Sequence, residues 1–249
     1  MDMQFGVMLR GLFDWDDDMK VRFNELMEQA RLIDKLGYDC ITKGSHFSTY
    51  PHQEMTQIPF LCRIMSEAPN VRLNAGIVLL ALHNPMEVAD YFATMDLMSG
   101  GRMIFGCALG YREVEYKAFG VEKGTGVTRF EENLEAVRRL WTDEKVSMKG
   151  TTFELDEARI SVPLQQDPHP PIWIGANADV AIRRAIHVEG ELQTRPFEAS
   201  LHEPLRIADV CLFCLSLGAP ARVAQEHLQQ HDGAEVGRAV RYRFWPKKN

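Results

Sequence analysis

Apolar positions in the first 188 residues follow two rhythms that take turns along the chain. Residues 71–80, 102–108 and 172–174 are short runs in which consecutive positions are apolar. A strand covered on both faces shows that pattern, as in a parallel sheet. Residues 4–9 and 38–42 read as two further strands. Between the runs, apolar residues recur at helical spacing: Phe23, Leu26, Met27, Ala30 and Ile33, then Val88, Phe92 and Met95, then Phe130, Leu134, Val137 and Trp141. The punctuation agrees. Asp16, Asp17 and Asp18 open the first helix at the positive end of its dipole, and Gly37 closes it. Asn84-Pro85-Met86-Glu87 supplies a cap, a first-position proline and a first-turn acid, and Gly100-Gly101 stops that helix. A helix over 56–68 is interrupted early by Pro59, and Thr128 with Glu131 forms a capping box for the helix ending near Trp141. Residues 145–162 read as a hairpin around Lys149-Gly150, 163–171 as a stiff proline-rich entry, and 179–188 as a helix. The connection between Tyr111 and Val127 is long enough to suggest a functional loop or lid.

Alternating strands and helices specify a sheet that is at least partly parallel, either a (β/α)8 barrel or a doubly wound sheet. The first strand-to-helix turn holds only Gly11 where G-x-G-x-x-G is required, and no G-x-x-x-x-G-K loop occurs. The barrel is therefore the better reading. Its functional loops follow the C-terminal ends of the strands, which puts His46, Tyr50 and residues 81–84, 109–112 and 175–178 at one mouth.

Charge and composition narrow the partners. A net charge of −7 disfavours a nucleic-acid backbone. No apolar run approaches the ~18 residues of a membrane span. The first residues, MDMQFGVMLR, lack the pattern of a secretion signal, so the expected location is the cytoplasm. Five cysteines make no zinc-like pair of pairs, and no metal site is expected. Cys211 and Cys214 form a C-x-x-C inside an apolar run, which suits buried thiols better than a redox pair.

Four stretches carry a resemblance: GIVLLALHNPMEVAD, MDLMSGGRMIFGCALGYREVEYKAFGV, TRFEENLEAVRRLWT and PHPPIWIGANADVAIRRA. In this order and spacing they resemble the bacterial luciferase-like monooxygenase family, flavin-dependent enzymes with a TIM-type barrel. The likeness runs over about residues 3–188, and RYRFWP at 241–246 is similar to the family's last strand. Residues 189–217 do not match and replace a longer family segment. The resemblance thus implies one domain over residues 1–249, a TIM-type (β/α)8 barrel that is incomplete or irregular in its C-terminal part.

The same resemblance assigns roles. In the family a bulged third strand with a non-proline cis peptide backs the flavin ring, and the matching residues are Asn74, Ala75 and Gly76. The phosphate is expected at Gly175, Ala176, Asn177 and Ala178, where a strand end meets a helix start, with Arg112 as a possible helper. Luciferase itself uses a serine at the position of Ala178 and an arginine at that of Leu109, so its side-chain contacts to phosphate do not carry over. His46 is the candidate proton-handling residue and Tyr111 a candidate hydrogen-bond donor to flavin or substrate. Luciferase's base falls on Ser45 and its reactive cysteine on Ala108, which argues against light emission and leaves Cys107 to packing. Three functions stand open. One is a monooxygenase using reduced FMN, O2 and a small organic substrate, with a separate flavin reductase. The second is a deazaflavin-dependent hydride-transfer enzyme. The third is a non-catalytic flavin-binding protein, in keeping with the altered segment. A homodimer is expected through the helices at 56–68 and 87–98, because Phe60, Leu61, Ile64 and Met65 exceed one buried stripe.

Overall fold

The structure is a computed structural model that describes residues 4–9 and 11–175, with the backbone of residues 210–215 and 240–242. The expected helix at 179–188, the residues Ala176, Asn177 and Ala178, and the side chains of Cys211 and Cys214 lie outside the described residues. In chain order the elements are β1 (Gln4–Leu9), β2 (Leu12–Asp14), α1 (Met19–Lys35), β3 (Cys40–Lys43), β4 (His52–Glu54), α2 (Gln57–Glu67), β5 (Arg72–Leu79), α3 (Pro85–Ser99), β6 (Met103–Ala108), α4 (Glu113–Ala118), α5 (Gly126–Thr142), β7 (Val146–Lys149), β8 (Glu154–Ala158), β9 (Ile172–Ile174), β10 (Val210–Leu215) and β11 (Val240–Tyr242).

The main sheet has the order β11-β10-β1-β3-β5-β6-β9. From β1 to β9 every pairing is parallel and each new strand adds beside the last. That winding belongs to a barrel; a doubly wound sheet would reverse direction from a central strand. β10 pairs with β1 antiparallel, so the C-terminal part departs from the regular barrel, as the resemblance implied. Among the described residues β9 and β11 are the edges of the sheet.

Alternation along the strands separates two faces. Val7 and Leu9, Ile41, Leu73 and Ala75, Met103 and Phe105, and Ile172 and Ile174 turn toward the helices and join one core with Leu26, Phe60, Ile64, Phe92, Val137 and Trp141. Phe105 lies edge-on to Phe92 at 4.6 Å and to Trp141 at 5.2 Å, and the Trp141 indole N–H donates to the Ala89 carbonyl at 3.1 Å. Truncating an aromatic residue packed in this way costs about 3–5 kcal/mol.

The caps of α1 and α3 form as their residues require. The Asp18 side chain accepts from the N–H groups of Lys20 and Val21, Asn84 accepts from Met86 N–H at 2.8 Å, and Gly100 ends α3 at φ 65°. Two boundaries differ. Pro59 is the third residue of α2 and does not interrupt it, because first-turn N–H groups have no helical partner to lose. Helix α5 begins at Gly126, so Thr128 lies inside it and makes no cap. The long connection after Tyr111 is not an open loop but holds α4 and a short 3-10 turn, Lys123–Thr125. Phe60, Leu61, Ile64 and Met65 are covered within the chain and leave no surplus apolar face on α2. The exposed apolar residues of α3 are instead Tyr91, Leu97 and Met98. No helix among the described residues is long and apolar enough to cross a membrane.

Candidate functional site

Because β1, β3, β5, β6 and β9 run parallel, the loops that leave their C-terminal ends gather at one mouth. The loop after β3 returns through β4, which pairs antiparallel with β2 and makes a small ribbon at the rim. A buried ion pair holds the ribbon down. Lys43 Nζ lies 2.5 Å from Glu54 Oε1, donates to the Gly44 carbonyl at 3.1 Å, and sits 6.0 Å from the Phe60 ring centre. Such a pair adds little net stability while intact, but removing one partner leaves a buried charge uncompensated. Trp15 and Tyr50 meet edge-to-face at 5.2 Å on the exposed side of the ribbon.

The middle of the mouth is formed by an irregularity in β5. Its register against β6 shifts between Ala75 and Val78, and the Gly76–Ile77 peptide is cis. Asn74 Nδ2 donates to Thr42 Oγ1 at 3.2 Å, while Asn74 Oδ1 is buried with no partner. Bare backbone packs around this amide. A Cβ on Gly76 would lie 2.7 Å from both Asn74 Nδ2 and Thr42 Cγ2, and one on Gly106 would lie 2.5 Å from the Ala75 carbonyl oxygen. Both positions therefore exclude a side chain. The Ala75 side chain is packed in the helix-side core, so only its backbone belongs to this surface.

Gly175 is carried to the same place. Its N–H donates to the Cys107 carbonyl at 2.8 Å, and a Cβ there would touch Ala108 Cβ at 3.3 Å and Ile77 Cδ1 at 3.5 Å. The bulge and the start of the expected phosphate segment are thus neighbours in space. Asn74, Gly76 and Gly175 are brought together, whereas Ala176, Asn177 and Ala178 lie outside the described residues.

A second cluster joins the β3 loop to α4. Glu115 is 1 % exposed, and its Oε1 lies 3.0 Å from His46 Nδ1, 3.0 Å from the Phe47 N–H and 3.3 Å from Arg112 Nη1. Arg112 also donates to the carbonyls of Phe47 and Ser48, at 3.0 and 3.3 Å. Its guanidinium is thus engaged with the β3 loop and Glu115. Tyr111 stands edge-on to His46 with ring centres 6.0 Å apart and is itself exposed. Phe47, His83 and Phe119 form a further aromatic group, with centres 4.8–5.8 Å apart. Burial lowers the His83 pKa below the usual imidazole value. Leu109 packs on the core, and its carbonyl accepts from the Tyr116 hydroxyl at 2.8 Å. Asn133 Nδ2 donates to the carbonyls of Leu80 and His83, and Arg129 to that of Ala81, fixing the loop after β5.

Glu115, Lys43 and Glu54 are the polar residues that sequence reasoning missed. Lys43 carried a signal, being a lone charge at the end of an apolar strand. Glu115 carried one only if residues after Tyr111 are taken as helical, since Arg112 and Glu115 then share a face. Cys40 and Cys107 are buried, and burial pushes the Cys40 thiol up to about 12, which keeps it unreactive. A depression lined by Trp141, Arg159 and Gln166 lies away from the C-terminal ends of the strands and plays no part in this site.

Comparison with known proteins gives one consistent outcome. The family profile described as luciferase-like monooxygenase matches residues 3–192. The flavin-dependent trigonelline monooxygenase, oxygenase component, of Acinetobacter baylyi is 27% identical over 165 residues, which cover 63% of this chain and 44% of that protein. The F420-dependent glucose-6-phosphate dehydrogenase of Amycolatopsis mediterranei is 27% identical over 168 residues, covering 65% and 50%. Among solved structures, monooxygenase RslO1 from Streptomyces bottropensis superposes with a TM-score of 0.67 at 26% identity, covering 72% of this chain and 54% of that one. The chain spans about half the length of the curated relatives it matches.

Proposed function

The chain belongs to the luciferase-like monooxygenase family, and we propose that it acts there as a flavin-dependent oxidoreductase using reduced FMN and dioxygen on a small organic substrate. The observation that carries this reading is the β5 bulge. A flat ring needs a surface free of bulky side chains, and in this reading the backbone at Ala75 and Gly76, with Gly106 behind it, is that surface. The unpartnered Asn74 Oδ1 beside it is a buried acceptor of the kind a polar group is expected to meet. Gly175 adjoins the bulge, and in this reading Gly175, Ala176, Asn177 and Ala178 hold the phosphate through backbone N–H groups. The residues present fit the group.

Reduced flavin, when bound, supplies the electrons for the reaction. The protein's own residues supply placement and proton handling. His46 presents an imidazole held from behind by Glu115, and Tyr111 offers a phenol edge-on to it. Phe47, His83 and Phe119 pack together on the neighbouring side. The relative named as an oxygenase component supports a separate flavin reductase as partner. A homodimer and a cytoplasmic location are part of the same reading, with Tyr91, Leu97 and Met98 of α3 as the contact face.

The F420-dependent relative favours a second reading, a deazaflavin bound at the same bulge with hydride transfer in place of oxygen chemistry. Absorption spectra of the purified protein titrated with FMN or deazaflavin, with mass analysis of any cofactor that copurifies, decide between them. FMN binding supports the first reading and exclusive deazaflavin binding the second. Binding of neither overturns both.

A further inference from the structure

We infer that Glu115 is a positioning residue that holds the His46 ring with its hydrogen on Nδ1, so that the Nε2 lone pair is the proton acceptor at the mouth. This deepens the proposed function, because it rests on His46 as the group that handles protons there. One oxygen, Glu115 Oε1, lies 3.0 Å from His46 Nδ1 and 3.0 Å from the Phe47 N–H, with Arg112 Nη1 at 3.3 Å. The Phe47 N–H and the guanidinium can only donate, so this oxygen acts as an acceptor. His46 Nδ1 therefore brings the hydrogen, and the neutral ring keeps its lone pair on Nε2. The arrangement is rigid. Glu115 is buried in α4, and Arg112 ties down the Phe47 and Ser48 carbonyls beside the histidine. The side chain of His46 keeps 35% of its surface exposed, and Tyr111 stands across from it. A carboxylate that orients the imidazole from behind is a device that active sites and metal sites share. Were Glu115 only a tie to the Phe47 N–H and to Arg112, the tautomer of His46 would not depend on it.

Nitrogen NMR of the full chain with labelled histidine, without cofactor and at about pH 8 where imidazole is neutral, reads the tautomer directly. The His46 signal is assigned by its loss in His46→Gln. The native ring should show the Nδ1–H pattern. Glu115→Gln should retain it, because the atom facing the Phe47 N–H must still be an oxygen. Glu115→Leu should move the ring to the Nε2–H form that free imidazole favours. An Nε2–H ring in the native protein overturns the inference, as does an unchanged tautomer in Glu115→Leu. If the leucine variant fails to fold, the native spectrum alone still decides. Flavin plays no part in the measurement, so failure of flavin binding and failure of this inference are separate results.

Discussion

The two ends of the parallel sheet use one device for different purposes. At the N-terminal end Asp96 is fully buried and accepts from Gln165 N–H at 2.7 Å, Gln166 N–H at 2.9 Å and Gln166 Nε2 at 2.7 Å. Beside it Arg102 donates to the carbonyls of Ser99, Ala68, Val71 and Met65, closing the C-terminal ends of α2 and α3. At the C-terminal end Glu115 is as deeply buried and likewise collects several donors. The difference is where each network stops. The lower one ends on backbone groups and on the Gln166 amide, which in turn accepts from the Arg72 guanidinium at 3.1 Å, a cation that stays charged. The upper one ends on an imidazole and, across from it, a phenol, both of which reach solvent. A buried carboxylate with all its partners inside anchors the fold, whereas one with a partner at the surface orients a reactive group.

Five changes test that contrast. The largest effect on stability is expected at the lower end. Asp96→Ala leaves three N–H donors without an acceptor and should cost about 3–5 kcal/mol in urea unfolding. A loss under about 1 kcal/mol would mean that Asp96 is not the anchor. At the upper end, Gly175→Asp sets a carboxylate where the phosphate is expected. Like charges ~4 Å apart at an effective dielectric of about 20 cost about 4 kcal/mol, so FMN affinity should drop ~1000-fold and recover partly in high salt. Gly76→Val should weaken binding without salt dependence, because its Cβ collides with Thr42 and Asn74. Equal affinity in both variants and the native protein places the flavin elsewhere.

The fourth change concerns pH. His83 has a folded-state pKa depressed by burial. Its neutral form therefore belongs to the folded chain, and below about 6.5 the unfolded chain takes up the proton first. Stability is present above that value and is lost as pH falls through the folded pKa, by at most about 1.4 kcal/mol per pH unit. Urea midpoints at pH 7 and pH 5 should differ less in His83→Gln than in the native protein. An identical pH dependence would assign the loss to other groups. The smallest effect is expected of Tyr111→Phe. The ring is exposed and keeps its edge-on contact with His46, so stability should stay within about 0.5 kcal/mol. A larger loss would make Tyr111 an anchor of its loop rather than an offered phenol.

Local pattern carried most of the parallel half of the sheet. The runs at 71–80 and 102–108 are β5 and β6, and Asp18, Asn84, Pro85 and Gly100 do at the helix ends what their side chains and backbone freedom dictate. These features depend on neighbours a few residues apart, and periodicity registers such neighbours. The sequence also placed His46 and Gly175 at strand ends, since a barrel sends those ends to one side, while Asn74 and Gly76 were assigned by the resemblance.

Contacts between distant residues were decided only by the tertiary structure. The β2–β4 ribbon has three-residue strands, too short for any rhythm, and exists because each strand finds the other. Phe60, Leu61, Ile64 and Met65 look like a surplus along α2 until α1, α3 and the sheet close over them. Glu115 is an unremarkable acid in a charged stretch until α4 forms and the β3 loop arrives from 69 residues away. Sequence specified which elements form and which ends face the mouth, because those follow from nearest neighbours. It could not specify which buried carboxylate meets the histidine, because that pairing is made by packing across the sheet.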